Sequence, residues 1–237
     1  MYGRDGHGTF SLVACDDARE YWGVIVATKP MSVGAVVPWA RWPVGALATQ
    51  AMSNYQYGPE GLALLEKGRS AEEVVRSLTR SDRRRDDRQL GVVDARGRSA
   101  SWTGARCREW AGHVTGDGYS CQGNLLAGPE VVPAMARTFE RTRGTLAHRL
   151  YRALVAGARA GGDRRGTESA ALLVVHRERW FDRAWSDRWT DLRVDQDAHP
   201  VEALGRLLRR DEATTRRFLA ARVRRRGRRG GGDGPGH

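Results

Sequence analysis

Lysine is nearly absent from this 237-residue chain: Lys29 and Lys67 are the only two among 40 basic residues, and the rest are arginine. A GC-rich coding bias produces such a skew, so arginine abundance alone argues little for phosphate binding. Cysteine is scarce as well. Cys15, Cys107 and Cys121 are odd in number and lack close pair spacing, which excludes a disulfide framework or a zinc ribbon. No apolar run reaches the roughly 18 residues of a membrane span. The start, Met1-Tyr2-Gly3-Arg4-Asp5-Gly6-His7-Gly8, lacks the apolar core of a secretory signal. Walker, dinucleotide, kinase and Gly-x-Ser-x-Gly patterns are missing. His113, His148, His176 and His199 make no metal-ligand spacing. These absences point to a cytoplasmic chain that needs no membrane, metal or cofactor.

What is present is globular. Hydrophobic residues make up 40% and charged residues 29%, and the length suits one substantial domain or two small ones. The net charge of +12 is uneven. Residues 216–237 hold eight arginines against Asp233, which leaves only +5 on residues 1–215. The basic, Gly-rich tail reads as a solvated terminus, disordered over 224–237, and nucleic acid is not an expected partner.

Periodicity then orders the chain. Thr9–Cys15 and Trp22–Ala27 read as a hairpin across the polar turn Asp16–Glu20, and Val33–Pro38 and Val44–Gln50 as further strands. Gly61–Gly68 is a short helix, and Ser70 with Glu73 opens another to about Ser81 as a capping box. Asp82–Arg88 mixes charges and reads as a solvated loop. Strands return at Gln89–Asp94, Ser99–Thr103, Trp110–Val114 and Gly118–Asn124. Two helices follow, one starting at Pro129 and one carrying Leu146, Leu150 and Leu154 up to Gly161-Gly162. Ala170–Val175 and Trp189–Val194 are paired strands, and a last helix spans about Pro200–Val223. This order fits two stacked sheets with helices on both outer faces, a four-layer αββα sandwich of the α+β class. The expected division is a leader or pro-segment over 1–8, one domain over 9–215, and the tail.

Thr9 is the sharpest chemical candidate. It opens the first strand behind Gly8. A threonine hydroxyl needs a base beside it to attack. If the Gly8–Thr9 bond were cut, the new α-amine, with an ordinary pKa of about 7.7–8.0, would stand next to Oγ. Nucleophile and base would then share one residue. Gly8 allows the tight backbone that an intramolecular attack requires. The alternative is an ordinary strand residue behind a disordered tail. Among weaker candidates, Asp163 either orients a neighbouring arginine or caps a turn. Asp191 and Asp195 share a face and could hold a cation, His113 is structural, and Cys15 is packed.

Several stretches together resemble domain-of-unknown-function family 1028. They are Thr9–Ala14, Val33–Ala40, Val44–Ala51, Tyr57–Leu62, Arg88–Asp94, Trp110–His113, Gln122–Gly128 and Ser169–Val175. The resemblance covers roughly residues 9–210 and implies the N-terminal-nucleophile (Ntn) hydrolase superfamily, whose αββα fold agrees with the order above. It places Thr9 at the nucleophile position. It makes Lys29 a basic residue near the nucleophile, able to lower the pKa of the attacking group. Asn124 becomes a donor to a developing oxyanion, and Gln50, Gln122, Gly123 and Glu168 become substrate-binding positions. Two departures stand out. Tyr2 is too large for Met excision, so Thr9 is not exposed by the usual route, and Glu168 stands where glutamine is expected. The resulting expectation is an N-terminal-threonine amidohydrolase for a small amide or peptide-like substrate. The competing expectation is a binding or assembly protein that keeps the fold without a free Thr9. Self-association is left open by exposed Trp-rich loops.

Overall fold

The alternation legible in the strands is realised as two antiparallel sheets. The computed structural model describes residues 8–177 and 187–229, with 218–229 as backbone only. The elements are β1 (Thr9–Cys15), β2 (Trp22–Thr28), β3 (Pro38–Arg41), β4 (Gly45–Ala51), α1 (Tyr57–Glu66) and α2 (Ala71–Ser81). Then come β5 (Arg88–Asp94), β6 (Ser99–Thr103), β7 (Gly112–Gly116) and β8 (Tyr119–Asn124). They are followed by α3 (Val131–Arg141), α4 (Leu146–Arg159), β9 (Ser169–Val175), β10 (Arg188–Val194) and α5 (Pro200–Arg229). One sheet runs β10-β9-β2-β1-β8-β7 and the other β3-β4-β5-β6.

Three apolar interfaces stack these elements. Phe10, Leu12 and Ala14 of β1 face Met135, Phe139 and Leu150 of α3 and α4. Val13 and Cys15, the alternate residues, face Ala46, Ala48 and Val93 of the smaller sheet. Leu47, Leu90 and Val92 on that sheet's far side meet Leu62, Leu65, Val74 and Leu78 of α1 and α2. Both faces of β1 and β2 are therefore buried, which is why these strands read as near-continuous apolar runs. Period-two alternation also fixes where each odd-numbered residue of β1 points: Thr9 and Ser11 lie on the inter-sheet side with Val13 and Cys15.

The Ser70–Glu73 capping box forms as the spacing predicts. Other expectations need correction. Val33–Ala35 is a 3₁₀ turn after Ser32 (φ 59°), and the strand begins only at Pro38. α1 starts at Tyr57 rather than Gly61, because Pro59 falls in its first turn, where a missing N–H leaves no bond unmade. The helix after Pro129 starts at Val131. Asp82–Arg88 is more than a solvated loop: it holds a 3₁₀ turn at Arg85–Asp87 and a largely buried Asp82–Arg88 ion pair. α5 runs to Arg229, beyond Val223, in a stretch rich in helix-favouring arginine. The disorder expected over 224–237 is therefore replaced by helix over 224–229, and its remainder, 230–237, lies outside the described residues. No helix among the described residues is long and apolar enough to cross a membrane.

Candidate active site around the Gly8–Thr9 bond

β1 lies between β2 and β8, with Thr9 opposite Thr28 in one ladder and opposite Asn124 in the other. Three strand ends thus meet at Thr9. β4 and β8 both turn away here through left-handed residues, Ala51 (φ 66°) and Leu125 (φ 52°). Non-glycine residues hold that conformation only when the surroundings impose it.

Thr9 is buried, and its Oγ1 lies 3.1 Å from Thr28 Oγ1. Thr28 Oγ1 in turn donates a short hydrogen bond to the carbonyl oxygen of Gly8. A hydroxyl carries one proton. Since Thr28 gives its proton to Gly8, the Thr9 hydroxyl must be the donor between the two threonines. The result is a directed chain, Thr9 O–H to Thr28 O–H to the carbonyl of the Gly8–Thr9 peptide bond. Arg165 Nη2 reaches the same carbonyl oxygen at 3.3 Å. One peptide oxygen thus receives a hydroxyl and a guanidinium, while the adjoining hydroxyl is polarised toward the same relay.

Arg165 is held for this task by Asp163. The Asp163 carboxylate is wholly enclosed and accepts from Arg165 Nε at 3.0 Å and Nη2 at 2.7 Å. It also accepts from the backbone N–H groups of Arg165 (3.0 Å) and Lys29 (3.1 Å). Asp163 therefore does both things the sequence left open: it orients an arginine and closes a turn. Its loop bends through Gly161, Gly162 and Gly166, all at positive φ.

The other expected site residues take varied places. Lys29 follows Thr28 directly, and its ammonium pairs with Glu168, both side chains being partly exposed (41% and 36%). Those two expectations therefore converge on one ion pair at the rim, close in the chain to Thr28. Asn124 is buried beside Thr9, and its amide nitrogen donates to Gln89 Oε1 at 3.0 Å. Gly123 lies in β8 against Leu126, where added bulk would collide. Gln50 and Gln122 are wholly enclosed between the sheets. Gln50 accepts from Ser11 (2.7 Å) and donates to Gln89 (2.8 Å). Gln122 donates to Ser11 (2.7 Å) and accepts from Ser120 (2.7 Å). Gln89 further donates to Gly123 O at 2.7 Å and to Thr103 at 3.0 Å. These amides form a closed ladder that pins the two sheets at the Thr9 end, and Gln50 and Gln122 retain no surface for a substrate. Such networks are costly when incomplete and rigid when satisfied.

Sequence reasoning missed Thr28 and Arg165. Thr28 carried one usable signal: it is the polar member of the inward set Trp22, Val24, Val26, Thr28, as Thr9 and Ser11 are the polar members of theirs. Arg165 carried only the hint that Asp163 could orient a neighbouring arginine, because one arginine among dozens is not distinguishable by type.

Other chemistry recedes. Burial pushes the Cys15 and Cys107 thiols up to about 11 and Cys121 well above the ordinary range, so none is a ready thiolate. Desolvation lowers the pKa of His113, whose Nδ1 lies 2.8 Å from Thr103 Oγ1. Asp191 and Asp195 pair with Arg188 and Arg193, and no metal-holding group of side chains occurs among the described residues. A cavity of about 450 Å³ at the opposite end of β1 is bordered by Tyr21, Trp189, Asp211 and Glu212.

Comparison with known proteins agrees with the resemblance. The crystal structure of a protein from Silicibacter pomeroyi, described as belonging to the same family, superposes with a TM-score of 0.78 at 31% identity. The alignment covers 86% of this chain and 88% of that one. No curated protein matches the chain. The sequence profile described as "Family of unknown function (DUF1028)" matches residues 9–204, most of the chain and beginning at Thr9 itself. The chain belongs to that family.

Proposed function

We propose that the chain is an N-terminal-threonine amidohydrolase of the Ntn type, made active by cleavage of its own Gly8–Thr9 bond. The observation that carries this reading is the double hold on the Gly8 carbonyl oxygen by Thr28 Oγ1 and Arg165 Nη2, beside the hydroxyl of Thr9. The stack of helices, sheet, sheet and helices suits the same superfamily and supports the reading as analogy.

In the cleavage step Thr9 Oγ attacks the Gly8 carbonyl carbon while its proton passes to Thr28 Oγ1 and the Thr28 proton passes to the Gly8 oxygen. The negative charge developing on that oxygen as the carbonyl opens is met by this proton and by the Arg165 guanidinium. The C–N bond then breaks as the proton on the former carbonyl oxygen moves to Thr9 N, which restores the carbonyl and leaves Gly8 as an ester on Oγ. Water then splits the ester into a glycine carboxylate and a free Thr9. The freed α-amine becomes the base for the next attack. A substrate carbonyl takes the place vacated by that of Gly8. Asn124, next to Thr9 in the ladder, retains one amide proton beyond its bond to Gln89 to offer to a small amide or peptide-like substrate.

Intact mass of the purified protein tests this directly. Loss of residues 1–8 from the wild type, retained in Thr9→Ala, is the expected result. A wild-type chain that keeps Met1, with Thr9 inert to an acylating electrophile, would overturn the enzyme reading in favour of a non-catalytic binding or assembly role.

A further inference from the structure

Gly8 is held on two sides, and the second side carries information about substrate. The carboxylate of Asp163 lies directly against the Gly8 α-carbon. A Cβ in the L configuration there would sit 2.6 Å from Oδ1, 2.7 Å from Cγ and 2.8 Å from Oδ2. Real Cβ atoms do not approach so closely, so either the added group or the carboxylate must move.

Asp163 is poorly able to move. Its side chain is fully enclosed, and its two oxygens accept from two backbone N–H groups and both Nε and Nη2 of Arg165. Displacing it would also shift Arg165, which holds the carbonyl oxygen of the same residue. Recognition of the carbonyl and exclusion of an α-substituent therefore reside in one rigid pair of side chains. In the cleavage reaction, Gly8 is the first acyl group transferred to Thr9.

We infer that the site selects acyl groups whose reacting carbonyl is joined to an unsubstituted methylene, N-acylglycyl amides above all, and rejects those with an L side chain on that carbon. The inference rests on the Thr9 nucleophile reading and adds a substrate class to it. Asp163 acts here as a specificity-determining residue: it walls the acyl position and orients Arg165.

The test uses the purified protein after loss of residues 1–8. It is incubated separately with the p-nitrophenyl esters of N-acetylglycine and N-acetyl-L-alanine. In each reaction Thr9 Oγ displaces p-nitrophenolate, forming an ester to Thr9 while the hydroxyl proton passes to the α-amine. Acylation is followed by p-nitrophenolate release and by the mass gain of one acyl group. The glycyl ester is expected to react roughly 100-fold faster than the alanyl ester, the scale on which one misplaced methyl group discriminates in a rigid pocket. Rates within about fivefold of each other on a processed chain would overturn the selectivity and leave the nucleophile standing. Failure of both esters to acylate, or a purified chain that still begins at Met1, would overturn the nucleophile reading and the selectivity with it.

Discussion

Two polar clusters lie side by side beneath the first residue of β1, and they are built on opposite plans. Toward the interior, Ser11, Gln50, Gln89, Gln122 and Ser120 close on one another, with bonds that join β1, β4, β5 and β8 and one, Ser120 to Gln122, within β8. Toward the rim, Asp163 holds Arg165, and Arg165 and Thr28 both donate to the oxygen of one peptide bond. The first cluster is satisfied by itself, and its return is rigidity. In the second, the Gly8 carbonyl oxygen is the acceptor for Thr28 Oγ1 and for Arg165 Nη2, so the proposed removal of the leader would leave those two groups facing whatever carbonyl arrives next. Burial and polarity alone do not distinguish structure from chemistry here. The endpoint of the hydrogen bonds does.

Breaking each cluster in turn separates the two plans. The largest effect is expected from Arg165→Ala, which removes the cation from the Gly8 oxygen. Leader loss, followed by intact mass over time, should slow by about 100- to 1,000-fold, the usual cost of one oxyanion donor. Thermal stability should fall far less. If Arg165→Ala processes at the wild-type rate, the rim cluster is only structural.

The complementary change is Gly91→Ala. Gly91 lies beneath the Gln122 amide, and an added Cβ would stand 2.1 Å from Gln122 Oε1. Overpacking at this contact should cost about 2–3 kcal/mol in denaturant unfolding, with the rate of leader loss within a few-fold of wild type. A large loss of processing with unchanged stability would reverse the assignment of the two clusters.

The smallest effect concerns a third polar centre, built around Asp82. Burial pushes the Asp82 carboxyl up, but bonds from Arg84 N, Arg88, Tyr57 and Asn54 outweigh it and bring its pKa down to about 2 from an ordinary 3.8. A carboxyl whose pKa is lower in the folded state contributes its stability fully above the unfolded value. That contribution declines as pH falls from about 4 toward about 2. Asp82→Asn should therefore cost about 1–2 kcal/mol at pH 6, with the difference from wild type vanishing near pH 2. A constant difference across that range would assign Asp82 a role in packing alone.

The sequence made the element order legible because both central strands are buried on two faces and α2 announces itself with a capping box. Local chemistry misled at two places. Val33–Val37 is apolar enough for a strand, but Ser32 takes a left-handed backbone and starts a 3₁₀ turn. The helix read from Gly61 in fact starts at Tyr57, with Pro59 in its first turn. Thr9 was visible because it opens a strand behind a glycine. Its partners were not, because Thr28, Asp163 and Arg165 lie 19 or more positions away and meet it only through the pairing of β1 with β2 and the glycine-bent loop before β9. The glutamines were noticed as polar residues in a suggestive motif. Only the stacking of sheets shows that they face one another rather than solvent.

The alternation along β1 has a consequence for alignment errors. Were β1 to slip by a single residue against its neighbours, Phe10 would be thrust among four amides and Thr9 would be pressed toward Met135 and Leu150. Neither placement is tolerable: the aromatic ring would strip the amides of their partners, and the hydroxyl would be stranded in hydrocarbon. The strand thus proofreads its own seat, and the register that buries the most grease is the one that presents the hydroxyl.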